Sequence, residues 1–167
     1  MSDRIARPKL VTLEFNELCP SLLTRWMAEG LLPNFAALHA ASEVWVTAPD
    51  VEDAALLEPW IQWYSIHTGL PYDTHRVFHL TDGAKAGHRD VFAMLRDAGR
   101  SVASFASMNV APFAGEEALY LGDPWTEQSD AHPPAYNAYN RFVSSQVREY
   151  SNASQGLSAV SYTHLTL

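Results

Sequence analysis

The chain has 167 residues, and its 11 Lys+Arg stand against 19 Asp+Glu for a net charge of −8. With 47% hydrophobic and 18% charged residues it reads as a globular chain that can bury a core, not as a disordered acidic tail. The acidic balance offers no electrostatic footprint for nucleic acid or an anionic membrane, yet it leaves room for an anionic small molecule, because a bound metal ion inverts the local charge.

Residues 10–15 (Leu-Val-Thr-Leu-Glu-Phe) are short and β-prone, and they predict a buried strand ending near Asn16. Pro20 stands where a helix can begin, since its missing N–H costs nothing in the first turn, and Leu22, Leu23, Trp26 and Met27 share one face before Gly30 ends the helix. A second short helix follows Pro33, with Phe35 and Leu38 expected inward. Val44 to Thr47 alternate like a strand, and Pro49 to Asp53 read as a loop. The next helix starts at Glu58-Pro59 and runs through His67 to a stop at Gly69, followed by a loop-like stretch from Pro71 to Lys85.

Val91, Phe92, Leu95 and Ala98 then give helical spacing up to Gly99, Val102–Phe105 predicts a strand, and Leu119–Leu121 a shorter one. Gly122 to Pro134 is polar and reads as loop. Tyr139, Phe142, Val143, Val147 and Tyr150 mark an amphipathic helix. This order implies an α/β layer structure, with a mainly parallel sheet flanked by helices and no internal repeat or composition shift. Residues 158–167 lack any capping or turn logic. They look like a translated read-through tail, so the expected native sequence ends near residues 152–157, and the chain is expected to be the N-terminal part of one longer domain.

A single cysteine, Cys19, excludes an internal disulfide framework and is expected to behave as a small buried hydrophobe. No segment approaches the roughly 18 apolar residues of a membrane helix. The polar start from Met1 to Lys9 precedes no apolar signal region, which makes the cytoplasm the expected location.

The most informative stretch is Glu58-Pro-Trp-Ile-Gln-Trp-Tyr-Ser-Ile-His-Thr-Gly-Leu-Pro-Tyr-Asp-Thr-His75. A helix start points backbone N–H groups outward with about half a positive charge, a natural seat for phosphate, sulfate or carboxylate. Together with Leu10 to Asn16, Leu32-Pro33-Asn34-Phe35, Leu38, the turn Thr68-Gly69-Leu70-Pro71-Tyr72-Asp73-Thr74-His75 and the piece Met94 to Phe105, it resembles the alkaline-phosphatase-like superfamily. The nearest branch is the type I phosphodiesterase/nucleotide pyrophosphatase and sulfatase-like hydrolases. The resemblance covers roughly residues 10 to 106.

It implies a metal-dependent hydrolase of small-molecule phosphate or sulfate esters using a divalent ion such as Zn, Mn or Ca, with further ligands well downstream. A fragment ending here would then be incomplete in fold and inactive by itself. The family's strand-end Asp falls on Asn16, flanked by Glu14 and Glu17, and its nucleophilic Thr, Ser or Cys falls on Pro59, next to Glu58. The usual Gly after His75 is Arg76. Family chemistry needs a metal-activated nucleophile, and Pro59 supplies no hydroxyl.

Glu58 can be a metal ligand, a general base or a helix cap. Asn16 and Glu14 can hold a hard divalent ion through oxygen, or Glu14 can face solvent or a capping amide. Gln62 matches a position that contacts the transferred group, or it is satisfied by backbone. His67, His75, His79 and His88 lack metal-site spacing, and His75 falls on a turn position that is structural in the family. Trp45, Trp60, Trp63 and Tyr64 fit core packing better than base stacking. A protein of this fold that has lost its nucleophile and serves binding or regulation is the alternative.

Overall fold

A computed structural model describes residues 9–125 and 130–156. The read-through tail expected over 158–167 lies outside them. The chain divides into two compact units, Met1–Thr47 and Ala48–Leu167. Among the described residues no helix is long and apolar enough to cross a membrane.

In the first unit, α1 (Pro20–Ala28) and α2 (Pro33–Ala41) each begin with proline in the first helical turn, as their sequence predicts. The end of α1 is set by Gly30 in the left-handed region (φ 74°). Leu31 N–H donates to Trp26 O at 2.9 Å and Gly30 N–H to Met27 O at 3.1 Å, which satisfies carbonyls that a bare helix end would leave open. Phe15 meets Phe35 edge-on at 5.8 Å. Neither α1 nor α2 contains a buried residue.

Three expectations fail here. Residues 10–15 and 44–47 belong to no strand, and their apolar side chains are open, from Phe15 at 48% to Val46 at 97% exposure. Leu38 is exposed rather than inward. Cys19 is exposed at the start of α1, where a contact with Ser21 Oγ at 3.3 Å lowers its thiol pKa.

The second unit holds α3 (Pro59–Thr68), the one-turn α4 (Tyr72–His75), α5 (Val91–Asp97), β1 (Val102–Phe105), β2 (Ala118–Leu121) and α6 (Asn137–Gly156). Short 3₁₀ turns lie at Ala54–Leu56, Gly83–Lys85 and Pro134–Tyr136. The helical turn α4 and the turn at Gly83 interrupt what the sequence presents as loop.

β1 and β2 form a two-stranded parallel sheet, with Val102 opposite Ala118 and Phe105 opposite Leu121. On its other side β2 bridges antiparallel to His132, Tyr120 and His132 exchanging both backbone hydrogen bonds at 2.8 Å. The α/β class and the parallel pairing therefore stand, on a smaller sheet than expected. Val102, Val110, Phe113 and Tyr120 make the core, with Phe92 and Leu95 of α5 packed against it.

α6 forms as predicted and turns part of its expected stripe inward, with Val143 and Val147 half-buried. Asn140 and Ser144 are buried, while Tyr139 and Phe142 are exposed, Tyr139 lying 6.2 Å from the Phe105 ring.

α5 shows how local sequence fixes an element. Asp90 Oδ1 accepts the Ala93 N–H at 2.7 Å as an N-cap, and Gly99 closes the far end, with Arg100 N–H donating to Leu95 O. Asp90 is buried, so water cannot take over its capping role. Asp90→Ala is expected to lower stability by about 1–2 kcal/mol in urea denaturation. A loss below ~0.3 kcal/mol would show that the cap contributes nothing.

Candidate functional site at the start of helix α3

Glu58 is the N-cap residue of α3, with extended backbone (φ −62°, ψ 137°). Its carboxylate makes no capping hydrogen bond and is exposed. The backbone does that work instead: Glu58 O accepts Ile61 N–H at 3.0 Å and Gln62 N–H at 3.2 Å. Pro59 has no N–H to offer, so only the Trp60 amide of the first turn is not committed to the helix itself. The tip is a weaker anion seat than an ordinary helix start, because such a seat depends on several convergent amides.

Three side chains fix this turn in place. Trp60 Nε1–H donates to Phe78 O at 2.8 Å, and Asn109 Nδ2–H donates to Trp60 O at 2.9 Å. Gln62 Nε2–H donates to Leu56 O at 2.9 Å, holding the 3₁₀ turn that Asp53 caps through Ala55 N–H. Gln62 thus makes the backbone contact that was one of its two expected roles.

Asn109 was not marked by the sequence. It lies in the loop after the carboxyl end of β1, the edge of a parallel sheet where α/β proteins gather ligands. It is 1% exposed, adopts a left-handed conformation (φ 60°) that asparagine tolerates, and lies beneath Gly83. Its signal was only an Asn in a post-strand loop.

One turn further along α3, Ser65 Oγ lies 3.0 Å from His75 Nε2. The pair has the spacing of a serine nucleophile and its base, but the second ring nitrogen excludes that role. His75 Nδ1 accepts the Val77 N–H at 3.0 Å, so the proton sits on Nε2 and Ser65 Oγ is the acceptor. A general base needs its lone pair toward the hydroxyl.

Beside it, Tyr64 contacts His88 Nδ1 through its hydroxyl at 3.0 Å, and burial pushes the Tyr64 phenol pKa up. His75 and His88 both pack edge-on against the Tyr64 ring, at 5.0 and 5.9 Å. These histidines serve packing, as expected for His75.

Glu58 and Gln62 share the start of α3 in the second unit. Glu14 and Asn16 lie close in sequence ahead of α1 in the first, Glu14 half-buried and Asn16 in an exposed turn that continues into Glu17 at φ 56°. Glu14 and Asn16 each already have an interaction partner. Among the described residues no group of three or more His, Cys, Asp or Glu could hold a metal ion. The donors present do not by themselves make a metal centre. Compared with family models, curated proteins and solved structures, the chain matches none.

Proposed function

We propose that the chain forms the N-terminal part of an alkaline-phosphatase-like hydrolase of small-molecule phosphate or sulfate esters, with Glu58 as its principal catalytic carboxylate. The observation that carries this reading is the state of Glu58. It stands at the tip of a helix clamped by Asn109, Trp60 and Gln62, yet its carboxylate is spent on no cap. A capping carboxylate is held by a first-turn amide, whereas this one is left available to a ligand.

In this reading Glu58 is the oxygen donor that the second unit offers to a divalent ion, and Gln62 borders the substrate. The remaining ligands come from protein outside the described residues, and the cytoplasm is the setting. The chain alone is then inactive.

Pro59 favours a second reading. The residue aligned with the family nucleophile has neither a hydroxyl nor an N–H, which suits a protein of this fold that binds without turning over.

Hydrolysis of p-nitrophenyl phosphate and bis-p-nitrophenyl phosphate, with and without Zn²⁺ or Mn²⁺, separates the two. The assay uses the 167-residue chain and any longer product of the same gene. The hydrolase reading expects metal-stimulated turnover in the longer product, lost at least about 100-fold in Glu58→Ala, with stability changed by less than ~0.5 kcal/mol because no cap is removed. Turnover that survives Glu58→Ala, or no turnover in the longer product, overturns it.

A further inference from the structure

His75 is the last residue of α4, and both of its ring nitrogens are engaged. Nδ1 accepts the Val77 N–H, and Nε2–H donates to Ser65 Oγ on α3, both at 3.0 Å. The ring is 5% exposed and Val77 is 3% exposed. One imidazole therefore ties the chain leaving α4 to the second turn of α3, across the left-handed Arg76 (φ 54°).

We propose that His75 is a pH-sensitive latch: protonation at Nδ1 sets one N–H against another and releases Val77, and with it the chain leaving α4, from the ring, while Nε2–H still holds His75 to Ser65. A backbone N–H cannot reverse its role, so a doubly protonated ring cannot keep this bond. The latch is independent of the proposed hydrolase activity.

The groups around the ring set where it opens. Asp50, whose carboxylate accepts the Tyr72 N–H, faces it from the preceding loop and favours the charged form. His88, from the loop before α5, opposes it. Tyr64 of α3 and Tyr72 of α4 present ring edges at 5.0 and 5.5 Å. The neighbouring Arg76 is ion-paired with Asp73. Burial is the largest influence and holds the His75 pKa below its ordinary value.

The sign follows. The closed state resists a proton that the open state accepts near pH 6.5. Closure is fully favoured above that pH and weakens as pH falls from there toward the depressed value.

Hydrogen exchange of the 167-residue chain, read by mass spectrometry over residues 72–79 and corrected for intrinsic rates, tests this. Between pH 7.5 and 5.0 the opening of this peptide is expected to rise about tenfold or more, while the peptide over β1 stays protected. In His75→Asn the side-chain oxygen takes the place of Nδ1 without titrating, and the pH dependence is expected to vanish; His88→Asn keeps it.

A wild-type peptide indifferent to pH, a dependence that survives His75→Asn, or one abolished by His88→Asn overturns the latch. Should His75→Asn fail to fold, the NMR titration of wild-type His75 decides. Its midpoint must coincide with the opening of Val77, and a mismatch is equally fatal.

Discussion

Gly83→Ala is expected to destabilise the second unit by roughly 3 kcal/mol, the upper end of what overpacking costs. A Cβ at this position would lie 2.7 Å from both Cβ and Cγ of Asn109 and 2.8 Å from Cδ2 of Tyr64. Neither neighbour can swing aside. Asn109 is buried, left-handed and bonded to Trp60 O, and its Cβ moves only with its backbone. Tyr64 is buried in α3 and held at its hydroxyl by His88.

The strain therefore reaches the loop after β1 and the first turn of α3 together. In thermal denaturation a loss of that size lowers Tm by roughly 6–12 °C for a chain of this length. Asn109→Gly in the same background removes both clashing carbons and keeps the left-handed backbone available. It should recover part of the loss despite forfeiting the bond to Trp60. A single-variant loss below ~1 kcal/mol would mean that the three residues are not packed as described.

Tyr120→Ala is expected to cost about 3–5 kcal/mol, the range for deleting a buried aromatic ring. Tyr120 is 1% exposed at the centre of the core, with its ring 5.2 Å from Phe113. Its hydroxyl donates to Val110 O at 3.2 Å. Tyr120→Phe separates the two contributions: it keeps the packing and leaves a buried carbonyl unpaired, which costs about 1–3 kcal/mol. Urea titration of both variants checks the order. A phenylalanine variant as weak as the alanine one would show that the hydroxyl, not the ring, holds this part of the core.

How far the fold can be read from sequence depends on whether the information is local. Pro20, Pro33 and Pro59 each sit in a first helical turn, and Gly30, Gly69 and Gly99 each follow a helix end with positive φ. These residues act through their own backbone, so their positions alone suffice. Val102–Phe105 and the short strand after it were legible too, because their β-forming side chains have each other as ladder partners.

Residues 10–15 and 44–47 carry the same kind of pattern and form no strand. A β pattern says that a segment suits a pleated surface, whereas a strand exists only through its neighbour. α6 forms as its spacing predicts, yet spacing locates an apolar stripe but not the surface that would cover it, and Tyr139 and Phe142 remain open while Val143 and Val147 are half-buried.

At the candidate site, Glu58 and Gln62 could be picked out because the family resemblance points to the start of this proline-initiated helix. Asn109 could not, since its role comes from a hydrogen bond spanning 49 residues, which no periodicity records.

The first turn of α3 has one further consequence. It lacks a hydroxyl and an amide hydrogen at the single residue Pro59, while Glu58, Trp60, Gln62 and Asn109 hold the frame around it. Proline codons become serine or threonine codons by one change in their first base. A single point change would thus return a hydroxyl and an amide hydrogen to this tip, and the hydrogen bonds of Trp60, Gln62 and Asn109 would not resist it.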